Sequence, residues 1–177
     1  WDEFMSTTDL NAYSTRIQFY TGEVPSLLVK GLDMSPWASC IDFGCGDGAL
    51  LYAMKAIGLL DGKQVHALDG SSERLKAVQL ISDDFDCIVS DVCDSNLEDN
   101  SIDVAFSTQV IEHVDDDAAM VCEMHRVMKS KGILYLSTIF KKSYAWYFYR
   151  CNGKWTIDPT HVREYTHDEQ LLNLLQK

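Results

Sequence analysis

The densest chemistry in the chain lies in Ile41-Asp42-Phe43-Gly44-Cys45-Gly46-Asp47-Gly48, a run that ends a β-rich segment and opens a helical one. Glycine lets backbone approach a ligand closely, and the carboxyl end of a strand feeding a helix is where nucleotide-like ligands sit in open α/β sheets. About 20 residues on, Val65-His66-Ala67-Leu68-Asp69 ends a second strand in a carboxylate, the usual place for an acid that accepts from both ribose hydroxyls. Spacing alone does not choose the ligand, because Gly44, Gly46 and Ala49 also satisfy the G-x-G-x-x-A form of a dinucleotide site. A nicotinamide or flavin enzyme therefore stays open. Against it stand Asp42, just ahead of the glycines, and Asp47, where a pyrophosphate would approach the helix N-terminus. Extra carboxylates there repel phosphate and suit an ammonium or sulfonium.

Such residues need strands and helices to hold them, and the chain alternates between the two. β-rich runs fall at Ser39–Phe43, Gln64–Leu68, Cys87–Ser90, Ile102–Ser107 and Gly132–Thr138. Between several of them lie helical patterns: Ala49–Ile57; a stretch capped by Ser71 or Ser72 that ends before Asp83-Asp84; and about Asp115–Met128, whose acidic start and basic end suit a helix dipole. Weaker helical stretches occupy Asp9–Tyr20 and Val24–Gly31, and a last one follows Thr166 through Leu175, with Thr166 and Glu169 spaced as a capping pair. This alternation predicts an α/β fold with a parallel sheet.

The 177 residues and 46% hydrophobic content suit one domain. It divides into a helical cover (1–36), a ligand-binding core (37–139) and a substrate-side segment with a helix (140–177). A net charge of -12 disfavours non-specific binding to nucleic acid or an anionic membrane. No apolar run approaches the roughly 18 to 20 residues of a membrane span, and Trp1-Asp2-Glu3-Phe4 lacks a signal peptide's character, so a cytoplasmic protein is expected. The six cysteines form no C-x-x-C pair and read as reduced small hydrophobes, with neither disulfides nor structural zinc expected. Charge is uneven. From Met124 to Ile157 there is no acid, while Lys141, Lys142, Arg150 and Lys154 interleave with Tyr144, Trp146, Tyr147, Phe148, Tyr149 and Trp155.

Taken together, Ile41 through Gly48, Ala67-Leu68-Asp69-Gly70-Ser71, Ser90-Asp91-Val92, Ser101-Ile102-Asp103-Val104-Ala105-Phe106, Val110-Ile111-Glu112-His113-Val114 and Arg126-Val127-Met128-Lys129-Ser130-Lys131-Gly132 resemble the class I S-adenosylmethionine-dependent methyltransferases, in particular the small-molecule type that includes the ubiquinone-pathway O-methyltransferases. The resemblance runs from about Trp37 to Leu175. It implies a Rossmann-like, doubly wound, mostly parallel seven-stranded sheet of order 3-2-1-4-5-7-6. Because Lys177 falls in what looks like the helix before the last two strands, those strands are expected to be missing from this chain.

The resemblance also implies roles. Asp42 would help hold the methionine ammonium; Gly44, Cys45, Gly46 and Gly48 would pass close to S-adenosylmethionine; Asp69, followed by Gly70 and Ser71, would take the ribose; Asp91 and Val92 would meet the adenine edge; and Ser107, Thr108 and Gln109 would line the methionine end. Arg16 or Tyr20 lies in a stretch that could reach the cofactor carboxylate. His113, just after the fourth strand, is the candidate general base, histidine being the residue type that titrates near neutral pH; bracing the loop is its other role. Gln109, Glu112, His113 and His161 resemble an E-x-x-E-H pattern with a later histidine that holds a divalent metal in some O-methyltransferases. With Gln109 in place of the first glutamate that site loses a charge, and no metal is expected. The Ser143–Trp155 segment would cover an aromatic, lipid-like or anionic small-molecule acceptor, or else pack against a C-terminal hairpin or a partner subunit. The readings in play are methyl transfer to a small molecule, a nicotinamide oxidoreductase, and a catalytically silent cofactor-binding module; RNA methylation is disfavoured by global charge, though the local basic segment keeps it open. Oligomeric state is not set by these residues.

Overall fold

The structure, a computed structural model, describes residues 24–147, 149–151, 153–158 and 160–176. The helical stretch expected at Asp9–Tyr20, with Arg16 and Tyr20, lies outside the described residues. Among the described residues five α-helices accompany the strands: α1 (Ser26–Leu32), α2 (Ala49–Ala56), α3 (Ser72–Ile81), α4 (Asp117–Val127) and α5 (Asp168–Leu175). The strands β1 (Ser39–Phe43), β2 (Gln64–Asp69), β3 (Asp86–Val89), β4 (Ile102–Thr108) and β5 (Met128–Ser137) pair in the order β3-β2-β1-β4-β5, every pair parallel. These are the first five strands of the expected seven, in the expected order. A small antiparallel hairpin, β6 (Tyr149–Cys151) with β7 (Lys154–Thr156), forms a sheet of its own and is not the expected closing pair. It falls inside the aromatic segment, where alternation was too short to announce strands.

Period-two alternation puts opposite faces of the sheet into two cores. Cys40, Val65, Ala67, Val104 and Phe106 pack with Leu28 and Leu32 of α1, Leu51 and Met54 of α2, and Leu75 and Val78 of α3. Ile41, Phe43, Leu68 and Ala105 pack with Met120, Met124 and Val127 of α4 and with Tyr165. The sheet is therefore doubly wound. Cys40 and Cys45 are buried as small hydrophobes, and burial, with Asp42 close by, pushes the Cys40 thiol up to about 12. At the amino edge Asp103 fixes the start of β1 against β4: its Oδ2 accepts from the N–H groups of Ala38 (2.9 Å) and Ser39 (3.0 Å).

Two helix starts differ from expectation. α4 begins at Asp117, capped by Asp116 (Ala119 N–H to Oδ1, 2.9 Å), because the carbonyls of Val114 and Asp115 are taken by Arg163 and the chain there stays extended. α5 is capped one residue later than the Thr166–Glu169 spacing suggests. Gln170 Oε1 accepts from the N–H groups of Thr166 (2.8 Å) and His167 (3.0 Å), which sets His167 as the cap. No helix among the described residues is long and apolar enough to cross a membrane.

Phe106 is fully buried at the centre of the sheet. Phe106→Ala should lower unfolding stability by about 3 to 5 kcal/mol in denaturant titrations, the range for emptying a packed aromatic site; a loss below about 1 kcal/mol would mean that this core is loosely packed.

Candidate functional site

The glycine turn is tied to the end of β2. Gly44 N–H and Cys45 N–H both donate to the Leu68 carbonyl, at 2.8 and 2.9 Å. One residue further, the Asp69 carboxylate spans the junction: Oδ2 accepts from Gly46 N–H (2.9 Å) and Oδ1 from Ser71 N–H (2.8 Å). Ser71 in turn caps α3, its Oγ accepting from Arg74 N–H. Gly44, Gly46 and Gly48 hold φ values of +72°, +57° and +82°, which β-carbons disfavour. At Gly44 space is also decisive, since a Cβ would stand 2.5 Å from Val110 Cγ2. The loop after β4 thus lies directly on the turn. In front of Gly70 a Cβ would meet nothing within 4 Å, so the space beside Asp69 is open. Asp47 stands just before Gly48, the N-cap of α2, where burial raises its pKa against the opposing pull of Arg74 and the Ala49 N–H. A carboxylate thus sits where a pyrophosphate would bind.

Asp42 is the anomaly. It lies in β1, 2% exposed, and its Oδ1 is buried with no hydrogen-bond partner among the described residues. Burial, and then the neighbouring Asp69 carboxylate, push its pKa up to about 8. An unpartnered buried carboxyl oxygen costs stability and is expected where a donor or cation arrives from outside the chain. Asp91 is exposed, and its Oδ1 accepts from Cys93 N–H at 2.8 Å in the turn after β3, with Val92 half-buried beside it. Of the three residues at the end of β4, Ser107 is wholly buried and its hydroxyl donates to the Phe43 carbonyl (2.9 Å), which makes it a strut between β4 and β1. Thr108 and Gln109 reach the surface, Gln109 at φ +56°.

The loop after β4 brings three potential ligands together. One atom each from Glu112, His113 and His161 lies within 4.8 Å of the others, and the two imidazoles meet edge to face at 4.8 Å. Glu112 is buried: Oε2 accepts from Thr138 Oγ1 (2.9 Å), while Oε1 and His161 Nδ1 are buried without a hydrogen-bond partner among the described residues. His113 Nδ1 faces the Thr160 carbonyl and Oγ1, both at 3.3 Å; a proton placed there leaves Nε2 as the basic nitrogen. The sequence drew attention to these residues but not to Arg163, which holds their loop in shape. Arg163 donates to the carbonyls of Ile111 (3.1 Å), Val114 and Asp115 (2.7 Å), and the N–H groups of Val162 and Arg163 donate to the Glu112 carbonyl. Its signal in sequence was a lone arginine in His161-Val162-Arg163-Glu164-Tyr165, without a spacing rule to read.

Comparison with known proteins agrees with this architecture. Residues 41–136 match the Methyltransferase domain family, and the chain belongs to it. Among curated relatives, the Probable S-adenosylmethionine-dependent methyltransferase of Mycobacterium tuberculosis is 31% identical over 130 residues, 73% of this chain and 44% of that protein. The ubiquinone biosynthesis O-methyltransferase of Neisseria meningitidis is 33% identical over 111 residues, 59% of this chain and 46% of that one. The chain thus spans less than half the length of these relatives. Phosphoethanolamine N-methyltransferase 2 of Haemonchus contortus, solved with S-adenosyl-L-methionine, shares the fold at a TM-score of 0.70 and 17% identity, covering 96% of this chain and 41% of that one.

The state of Asp42 is measurable. With its folded pKa raised from the ordinary carboxylate range to about 8, the folded protein holds a proton that the unfolded chain has released, so its contribution to stability is full below about pH 4 and is lost as pH rises through 8. Asp42→Asn should therefore gain melting temperature relative to the unsubstituted protein between pH 5 and pH 8.5. Parallel melting curves across that window would show that Asp42 is partnered.

Proposed function

We propose that the chain binds S-adenosylmethionine across the carboxyl edge of β1, β2 and β4 and passes its methyl to a small-molecule acceptor held beneath residues 143–155. The observation that carries this reading is the buried Asp42 oxygen next to Asp69, unpartnered among the described residues, an acid that a cationic ligand would ionise and satisfy. The cofactor supplies an electrophilic methyl on sulfur. Asp69 would accept from the ribose hydroxyls with the lone pairs its backbone bonds leave over, while those bonds hold its carboxylate in place. Asp42 would face the ammonium, the backbone of the glycine turn would lie along the methionine, and Asp91 with Val92 would meet the adenine edge. The open space at Gly70 is consistent with that path. Thr108 and Gln109, at the mouth of the cleft, would line the methyl-bearing end.

Direct displacement asks the protein to align the acceptor and, for a hydroxyl, to remove its proton. Nε2 of His113 would take that proton, with Thr160 fixing the ring and Arg163 fixing the loop. A second reading of the same cluster draws on the unpartnered Oε1 of Glu112 and Nδ1 of His161: together with His113 these residues would hold a divalent cation, which would lower the pKa of an acceptor oxygen. The nicotinamide alternative is disfavoured by Asp47 at the start of α2.

Calorimetric titration with S-adenosylhomocysteine should give micromolar binding, and NADH none; the reverse would remove the cofactor reading. Asp69→Asn, which keeps an acceptor oxygen for the turn, should weaken S-adenosylhomocysteine binding about ten- to a hundredfold, as loss of charge-assisted bonds worth roughly 1.5 to 3 kcal/mol requires. His113→Ala should slow turnover while leaving cofactor affinity unchanged. Loss of turnover in chelator, restored by magnesium or manganese, would assign the cluster to a cation; turnover indifferent to chelator would assign His113 as base.

A further inference from the structure

A cavity of about 890 Å³ opens between the loop leaving β5 and the β6–β7 hairpin, within the size range of small-molecule sites. Its walls include Tyr144, Trp146, Tyr147 and Trp155, and the side chains along its described lining that carry or can take up positive charge are Lys141, Lys142 and His167. Among the described residues no carboxylate lines it. This is unusual in a chain of net charge -12, and follows from the absence of any acid between Met124 and Ile157.

The cavity is built rather than incidental. Beneath it Lys141 Nζ donates to the Trp155 carbonyl and to Glu164 Oε2, tying the loop to the hairpin; Glu164 Oε1 accepts from Thr156 Oγ1 and from Ile157 N–H, both at 2.6 Å. Burial raises the Glu164 pKa, but these bonds outweigh it and the group is held low, as a charged partner for Lys141. The loop closes on itself through Tyr147, whose hydroxyl accepts from Lys142 N–H (2.6 Å) and donates to the Lys142 carbonyl (2.5 Å). With Lys141 paired to Glu164, Lys142 lines the cavity with no ion pair among the described residues, its Nζ 5.5 Å from the Phe140 ring centre. Tyr144 and Trp146 are 82% and 91% exposed, aromatic surface that the described chain does not cover.

An aromatic site can bind a cation, an anion with an apolar body, or a neutral molecule. Cations are opposed here, because Lys141 already lies over the Tyr147 ring at 5.2 Å, the Glu164 carboxylate is taken by Lys141, and no other carboxylate among the described residues lines the cavity. We infer that this cavity binds a small organic anion with an aromatic or other flat apolar body, held by Lys142 and His167 at its charged end and by Tyr144, Trp146 and Trp155 along its body. That the anion is the methyl acceptor rests on the proposed function; that the cavity binds it does not.

The test is a fluorescence titration of the ligand-free full chain with 8-anilinonaphthalene-1-sulfonate, alongside its neutral counterpart N-phenyl-1-naphthylamine and vesicles of phosphatidylglycerol. The sulfonate should bind one to one, at least tenfold tighter than the neutral amine, and Lys142→Glu and Trp146→Ala, both at exposed positions, should each weaken it tenfold or more. Equal affinity for the two dyes, or binding indifferent to both substitutions, would overturn the inference. So would Trp146-dependent binding to vesicles without binding of the soluble sulfonate, which would make the segment a membrane-docking surface. The titration needs no cofactor, so its failure and failure of the S-adenosylhomocysteine titration are separate results.

Discussion

Everything at this site hangs on the Asp69 carboxylate, whose two oxygens accept from Gly46 N–H on one side and Ser71 N–H on the other. With the Leu68 carbonyl taking Gly44 N–H and Cys45 N–H, four backbone donors converge on the last two residues of β2. They fix the turn leaving β1 and the start of α3 to a common point. Parallel pairing of β1 with β2 and with β4 then brings the loop after β4 onto that turn, where Val110 packs against Gly44. Backbone donors aimed at an ionised carboxylate are among the stronger hydrogen bonds, so this junction is expected to be rigid. Rigidity is what positioning a reacting group requires.

The same junction is electrostatically unbalanced. The nearby Asp69 carboxylate disfavours ionisation of Asp42, and among the described residues Asp69 is held by hydrogen bonds from the chain while Asp42 Oδ1 has none. A buried acid left so is a cost to the ligand-free fold that a cationic ligand would offset, the usual arrangement where binding rather than stability has shaped a site. The Glu112, His113 and His161 cluster in and beyond the loop after β4 has the same character, with two buried ligand atoms unpartnered among the described residues. In contrast, the buried Glu123, which accepts from Ser95 and from Arg126, is satisfied from within the chain and serves the fold.

How much of this could be read beforehand depended on how local each feature is. The five sheet strands were visible because apolar and β-branched runs such as Ser39–Phe43 and Gln64–Asp69 are bounded by glycine turns and interleaved with amphipathic helices. The glycine turn and Asp69 were visible because their spacing follows from one strand-helix-strand unit. What escaped was long-range. Ser107 reads as a cleft residue by position, yet its hydroxyl is consumed by Phe43; Arg163 and Lys141 organise loops tens of residues away, through carbonyls that carry no side-chain signature. The α4 start was misjudged for the same reason, since Arg163 takes the carbonyls of Val114 and Asp115 that a longer helix would have used.

The most direct test of the account is a crystal structure of the protein with S-adenosylhomocysteine. The expected result places the ribose hydroxyls on the Asp69 carboxylate, with the ammonium on the Asp42 side of the glycine turn. A ligand seated elsewhere, or a ribose that leaves Asp69 untouched, would contradict the assignment of the site from which the rest is built.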